Sequence, residues 1–215
     1  MSAAQEVRSG MRIGLGSGRA VAALIDSIGR RIADEGLAIE AIAASRSASR
    51  EARAAGISLL GPADIPTLDL GFDGADLLTE ELSLIKGGGG ALVRERLVAL
   101  ACRRWVVVAE AEKLRGDLAG APLPVAVLPF GHEATARRLR GIGLDVTLRR
   151  GASGRPWRSE DGLLVCDCLD RRARTPGELA AEVAALPGVV DTGLFLTMAQ
   201  SAYIGSPAGV RRIDA

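Results

Sequence analysis

The chain has 215 residues, 48% of them hydrophobic, with 27 basic side chains against 26 acidic ones. That suits one large globular domain, or a main domain with a smaller appendage, and argues against disorder. A net charge of +1 gives no broad pull toward nucleic acid or an anionic membrane, and with no long apolar run and no basic-apolar leader, a cytoplasmic protein outside the membrane is expected.

In chain order, "MRIGLGSG" reads as a short buried strand ending in a glycine turn, and "RAVAALIDSIGRRIADEG" as a helix running to Gly36. "LAIEAIAAS" supplies a second strand, "REARAAG" a helical segment, and "TLDLGFDGAD" a strand whose end delivers Asp73 and Asp76. "SLIK" is strand-like, "ALVRERLVALACRR" is an amphipathic helix, and "WVVVAEAEK" is a valine-rich strand ending near Lys113. Strands alternating with helices predict a largely parallel sheet, with ligands bound outside the carboxyl ends of the strands.

The texture changes at "GAPLPVAVLP", which places a domain boundary near residue 124. Beyond it, "EATARRLRGIG" and "PGELAAEVAALPG" are helical, and "DVTLRR", "GLLVCDC" and "VVDTGLF" are strands. A small α/β lid over residues 124–196 is expected, the main domain comprising 1–123 and 197–215, with "RRGASGRPWRSEDG" as a mobile connection. Strand alternation puts Cys166 and Cys168 on one face as small buried hydrophobes, and Cys102 completes no metal knuckle. His132, the only histidine, stands at a helix start, where a surface or capping role is expected.

Two motifs carry chemistry. In "GLGSGRA", Gly16, Ser17, Gly18 and Arg19 bring backbone N–H groups to the positive end of a helix, a weak anion-binding signal on its own. No Walker lysine follows, so hydrolysis of a nucleoside triphosphate is not expected. In "DGADLLTEELSLIKGGGGALVRE", Lys86 precedes the four glycines Gly87, Gly88, Gly89 and Gly90, and Glu95 follows in the next helix. A carboxylate base beside a lysine, with Asp73 and Asp76 from another strand end, suits proton transfer next to a carbonyl without a metal. The alternative for Asp73, Asp76, Lys86 and Glu95 is a structural ion-pair cluster.

"GFDGAD", "LIKGGGGALVRE" and "VVVAEAEK", joined with "GLGSG", "PLPVAVLPFG", "LPGVVDTGLF" and "IGSPAGV", resemble ribose-5-phosphate isomerase of the A type from about Gly14 to Arg212. The resemblance implies a Rossmann-like main domain with a mostly parallel sheet and a smaller α/β lid, no cofactor, a sugar phosphate as the only ligand, and a homodimer. It implies Glu95 as the base that carries a proton between C2 and C1, and Asp73 as the group that helps to open the ring and moves hydroxyl protons. Asp76 would line the pocket, Lys86 would steady the oxyanion, Gly87 to Gly90 would supply backbone donors, and Lys113 and Ser17 would contact the substrate.

The departures lie on the phosphate and hydroxyl side. Arg19 and Ala20 stand where the family has serine and threonine, Leu77 where it has glutamate, Leu163 where it has asparagine, and an N-terminal lysine has no counterpart. Arg19 and Arg46 are the candidates to replace the lost phosphate contacts, since a guanidinium binds phosphate through two parallel hydrogen bonds. A divergent isomerase of another sugar or sugar phosphate, and a sugar-sensing protein without catalysis, are the alternatives.

Overall fold

The computed structural model describes residues 2–61, 63–172 and 174–215. Its strands are β1 (Arg12–Leu15), β2 (Glu40–Ala43), β3 (Ser58–Leu59), β4 (Leu70–Asp73), β5 (Leu77–Leu78), β6 (Leu84–Ile85), β7 (Trp105–Glu110), β8 (Leu123–Val127), β9 (Leu144–Leu148), β10 (Leu164–Asp170), β11 (Val189–Thr192), β12 (Leu194–Phe195), β13 (Ser201–Ser206) and β14 (Gly209–Asp214). The helices are α1 (Arg19–Glu35), α2 (Arg46–Ala54), α3 (Leu92–Ala101), α4 (His132–Gly141) and α5 (Pro176–Ala184).

The expected α/β architecture is present. A seven-stranded sheet runs β14-β13-β7-β4-β1-β2-β3, parallel throughout except for the terminal hairpin β13–β14. Its strands are apolar nearly end to end, as a sheet covered on both faces requires. Helix α1 buries Val21, Leu24, Ile25 and Ile28, one helical stripe, against this sheet; each such side chain contributes about 1.5–3 kcal/mol. Gly36 ends α1 in a left-handed conformation, as its position in the sequence suggests.

A smaller domain holds the antiparallel sheet β11-β8-β10-β9 with α4 and α5. Cys166 and Cys168 are buried in its core among Val125, Leu139 and Leu179. Burial pushes the Cys166 thiol up to about 11 and Cys168 further in the same direction, which suppresses the thiolate. Thr175 and Glu178 form a reciprocal cap at the start of α5. His132 is half-buried at the start of α4, its Nδ1 3.0 Å from the Pro129 carbonyl oxygen. Among the described residues, no helix is long and apolar enough to cross a membrane.

Several elements differ from the sequence reading. Helix α2 starts at Arg46, before "REARAAG", because the Ser45 side chain accepts a hydrogen bond from the Ala48 N–H and nucleates the first turn. "PLPVAV" is not only a boundary; it contains β8, the strand between β11 and β10, whose apolar run is buried on both faces. "VVDTGLF" is two strands, β11 in the four-stranded sheet and β12 in the separate sheet β12-β6-β5. Gly193 makes the break: its carbonyl accepts from the Lys86 N–H at 2.9 Å, and its N–H donates to the Pro124 carbonyl at 2.7 Å.

A side chain has no room at that break, since a Cβ on Gly193 would lie 2.2 Å from the Lys86 carbonyl oxygen. Gly193→Ala is expected to lower stability by about 1–3 kcal/mol through forced backbone displacement, read as a shift in urea midpoint at unchanged slope. An unchanged midpoint would show that the crossing relaxes freely.

Candidate active site

Asp73 ends β4, Lys86 follows β6, and Glu95 sits in the first turn of α3, so three separate elements converge on one point at the carboxyl ends of the parallel strands. All three side chains are buried, with residue exposures of 1%, 3% and 4%. Lys86 Nζ lies 2.9 Å from Asp73 Oδ1 and 3.3 Å from Glu95 Oε2, and donates to the Gly74 carbonyl at 2.6 Å. Asp73 Oδ1 also accepts from the backbone N–H groups of Gly74 at 2.7 Å and Ser17 at 3.2 Å.

Glu95 is held asymmetrically. Ser17 Oγ donates to Oε1 at 2.5 Å, whereas Oε2 has no hydrogen-bond partner, the only such buried side-chain atom among the described residues. Its separation from Lys86 gives coulombic attraction without hydrogen-bond alignment. One carboxylate oxygen is therefore anchored and the other has unused acceptor capacity, the arrangement a base needs before it meets an acidic proton.

Electrostatics separates the members of the set. Burial pushes the Asp73 carboxyl up to about 7, the neighbouring Glu95 charge adds to the rise, and Lys86 opposes it. Burial pulls Lys86 down, but the attraction of Asp73 and Glu95 outweighs it and the net direction is up, so this lysine stays a cation. A buried cation flanked by a carboxyl that titrates near neutrality can both stabilise an oxyanion and exchange protons.

The surrounding glycines make this packing possible. A Cβ on Gly16 would lie 1.9 Å from the Asp73 carboxylate, so the Gly16 turn and the Asp73 side chain can occupy their places only together. Gly87 and Gly90 adopt φ of 104° and 77°, values that favour glycine, and Gly90 lies beneath the Trp157 ring. Gly88 N–H donates to Asp76 Oδ2 at 2.6 Å, tying the loop to the second aspartate.

These groups open onto a cleft of about 700 Å³, within the usual range for small-molecule sites. Ser17, Gly18, Asp76, Lys86 and Glu95 line it, as do Gly87, Gly89 and Gly90. Asp73, Gly16 and Gly88 support the lining from behind. Helix α1 enters without a side-chain cap or an acidic residue in its first turn, so its leading N–H groups favour an anion near Gly18. Lys113 also lines the cleft, and Arg19, at the start of α1, is exposed and pairs with Glu110 at 3.0 Å. Arg46 also lines the cleft, from α2: its backbone N–H donates to Glu160, and its guanidinium lies 3.8 Å from the same carboxylate. Among the described residues, no group of three or more His, Cys, Asp or Glu side chains is arranged to hold a metal ion.

The sequence reading missed one wall. Trp157, Ser159, Glu160 and Asp161 line the cleft, and the "RRGASGRPWRSEDG" segment read as a mobile connection is pinned to the main domain through Arg94 and Arg46. A tryptophan and an adjacent acidic pair in a glycine-bearing loop were the available signal.

Comparison with known proteins agrees with this geometry. The family model described as ribose 5-phosphate isomerase A (phosphoriboisomerase A) matches residues 40–209. The chain is 42% identical to ribose-5-phosphate isomerase A of Thermomicrobium roseum over 99% of its own length and 90% of the relative's. It is 38% identical to the protein of that name from Bacillus mycoides, over 97% and 94% of the two chains. The solved structure of ribose 5-phosphate isomerase A from Methanocaldococcus jannaschii superposes with a TM-score of 0.92 at 32% identity, covering 100% of this chain and 95% of that one.

The raised Asp73 carboxyl has a measurable consequence. A carboxyl lifted from 3.8 to about 7 on folding contributes stability that is fully present below about pH 4 and lost as pH rises through about 7. Replacing it by Asp73→Asn removes that contribution. The unfolding free energy of the wild type relative to the variant is expected to fall by on the order of 2–4 kcal/mol between pH 4 and pH 8. Urea titrations across that range read the difference; parallel curves would show that Asp73 is ionised throughout.

Proposed function

The chain belongs to the ribose 5-phosphate isomerase A family, and from that premise we propose that it interconverts ribose 5-phosphate and ribulose 5-phosphate through an enediolate formed in the cleft. The observation that carries the mechanism is the buried Glu95 carboxylate, anchored by Ser17 on one oxygen and unbonded on the other, next to the Lys86 cation.

In the forward direction Oε2 of Glu95 takes the proton from C2 of the open-chain aldose. The electron pair forms the C1–C2 double bond, and the carbonyl oxygen on C1 becomes an oxyanion that Lys86 stabilises. Glu95 returns the proton to C1, the C2 hydroxyl loses its proton, and the ketose results. Asp73, with a carboxyl poised near neutrality, carries the hydroxyl protons between the two oxygens and assists ring opening. Asp76, fixed by the Gly88 N–H, orients the sugar hydroxyls; with the Gly90 N–H bonded to the Gly87 carbonyl, the N–H groups of Gly87 and Gly89 are the loop's donors for the substrate.

The phosphate belongs at the start of α1, where uncapped N–H groups, Ser17 and Gly18 meet Lys113 and Arg19. Arg19, largely exposed and held only by its surface pair with Glu110, is free to turn toward a dianion. Arg46 is the second candidate: its backbone N–H is bonded to Glu160, while its exposed guanidinium stands 3.8 Å from that carboxylate and is likewise able to turn toward a dianion. The smaller unit, residues 124–196, would act as the lid over a catalytic unit of 1–123 and 197–215, in a cytoplasmic homodimer without a nucleic-acid or membrane partner.

Glu95→Gln is expected to lower kcat by about 10²–10⁴-fold while the protein stays folded, and to abolish entry of solvent deuterium at C2 of ribose 5-phosphate followed by NMR. Exchange at the wild-type rate in the variant would remove Glu95 as the base. Arg19→Ala is expected to raise KM for ribose 5-phosphate about 10-fold with kcat little changed, the loss of one charge-assisted contact to the phosphate. An unchanged KM would leave Lys113, Arg46 and the α1 N-terminus to hold the phosphate.

A further inference from the structure

Glu95 stands between two arginines in sequence, and both reach into the smaller domain. Successive helical residues point about 100° apart, so Arg94 and Arg96 leave α3 on opposite flanks of the base. Arg96 reaches inward: its guanidinium bonds Asp191 at 2.7 and 2.8 Å, donates to the carbonyls of Thr192 and Leu194, and lies 4.0 Å over the Phe195 ring. Arg94 reaches along the cleft wall. Its Nε bonds both oxygens of Asp161, at 2.8 and 2.9 Å, and its terminal nitrogens bond Asp161 at 2.5 Å and Glu160 at 2.7 Å.

Glu160 does more than balance charge. Its carboxylate also accepts the Arg46 N–H, at 2.9 and 3.1 Å, at the start of α2. One short segment of the smaller domain therefore joins α2 and α3 across the cleft, and all of these groups line it. The join is partly shielded from water: the Arg94 and Glu160 side chains are about one-third exposed, against more than half for the surface pairs Arg30–Asp26, Arg171–Asp145 and Arg211–Glu80.

We propose that Arg94 is a positioning residue for Glu95: its grip on Glu160 and Asp161 fixes the first turn of α3 against the smaller domain, so that docking of the 159–161 segment and correct placement of the base are one event. Arg96 holds the more buried side of the helix, and Arg94 supplies the cleft-side hold. A displacement of the base by a fraction of an ångström to one ångström costs up to about 10²-fold in rate, so a contact that touches no substrate atom still controls turnover. The inference rests on the isomerase reading given above.

The test measures kcat and KM for ribose 5-phosphate in the wild type, Arg94→Gln, Asp161→Asn, the Arg94→Gln/Asp161→Asn double variant and Arg94→Lys, with amide hydrogen exchange at Glu95 and Arg96. Arg94→Gln is expected to lose about 10–100-fold in kcat with KM nearly unchanged. Asp161→Asn should lose part of that, the double variant no more than Arg94→Gln alone, and Arg94→Lys should recover part of the rate. Arg174→Gln, which breaks an ion pair with Asp170 within the smaller domain away from the cleft, should lower Tm without lowering kcat, separating positioning from general stability. Wild-type kcat in Arg94→Gln, or losses that multiply in the double variant, would overturn the proposal. If Arg94→Gln does not fold, Asp161→Asn decides in the same way. If the wild type fails to isomerise ribose 5-phosphate, the functional reading falls, and exchange still decides the linkage: faster exchange at Glu95 and Arg96 in Asp161→Asn upholds it, and unchanged exchange sinks it.

Discussion

Lys86 is buried between Asp73 and Glu95, and the rest of the molecule is arranged to make that tolerable. Three ionisable groups removed from water carry a desolvation penalty that mutual attraction repays only when the geometry is good and the remaining donors and acceptors are satisfied. The Gly74 carbonyl, the N–H groups of Gly74 and Ser17, and the Ser17 hydroxyl perform that role. Among the buried side-chain atoms of the described residues, only Glu95 Oε2 is left without a hydrogen-bond partner, and that remainder is the acceptor assigned to the base in the proposed reaction. The parallel sheet serves the same end by delivering Asp73 rigidly at a strand terminus, where a loop residue would wander.

Much of this was legible in the sequence because it follows from short-range patterns. The α1 stripe, the Gly36 stop, the valine-rich β7 and the run from Asp73 to Glu95 each announce themselves within a few turns or strands. The family resemblance then raised one reading of the charged cluster above the structural one. What could not be read locally was set by long-range packing. The split of "VVDTGLF" into strands of two sheets depends on Gly193 meeting Lys86 and Pro124, residues far away in the chain. The early start of α2 depends on a serine cap that an arginine-rich segment conceals.

The cleft wall shows the same limit more sharply. "GRPWRSEDG" has the composition of a linker, and its glycines, proline and charges would suit solvent equally well. Its order comes from partners on α2, α3 and the glycine loop: Arg46, Arg94 and Gly90. Conversely, Arg19 and Arg46 stand out by charge alone, yet each also faces a carboxylate of this same chain, Glu110 and Glu160, which the sequence does not announce. Charge type sets which contacts are possible, and topology decides which are made.

The crossing at Gly193 also bears on how this protein can be taken apart. The chain leaves the main sheet after β7, builds the antiparallel sheet, and on its return supplies the carbonyl that receives the Lys86 N–H and the strand that pairs with β6. The insert is thus not a cassette. Exchanging it for an unrelated domain through its two junctions would strip the central lysine of its backbone brace, so recombination that preserves every charged group of the cleft could still leave them without a frame. A graft that keeps the main sheet has to keep the returning strand and Gly193 with it.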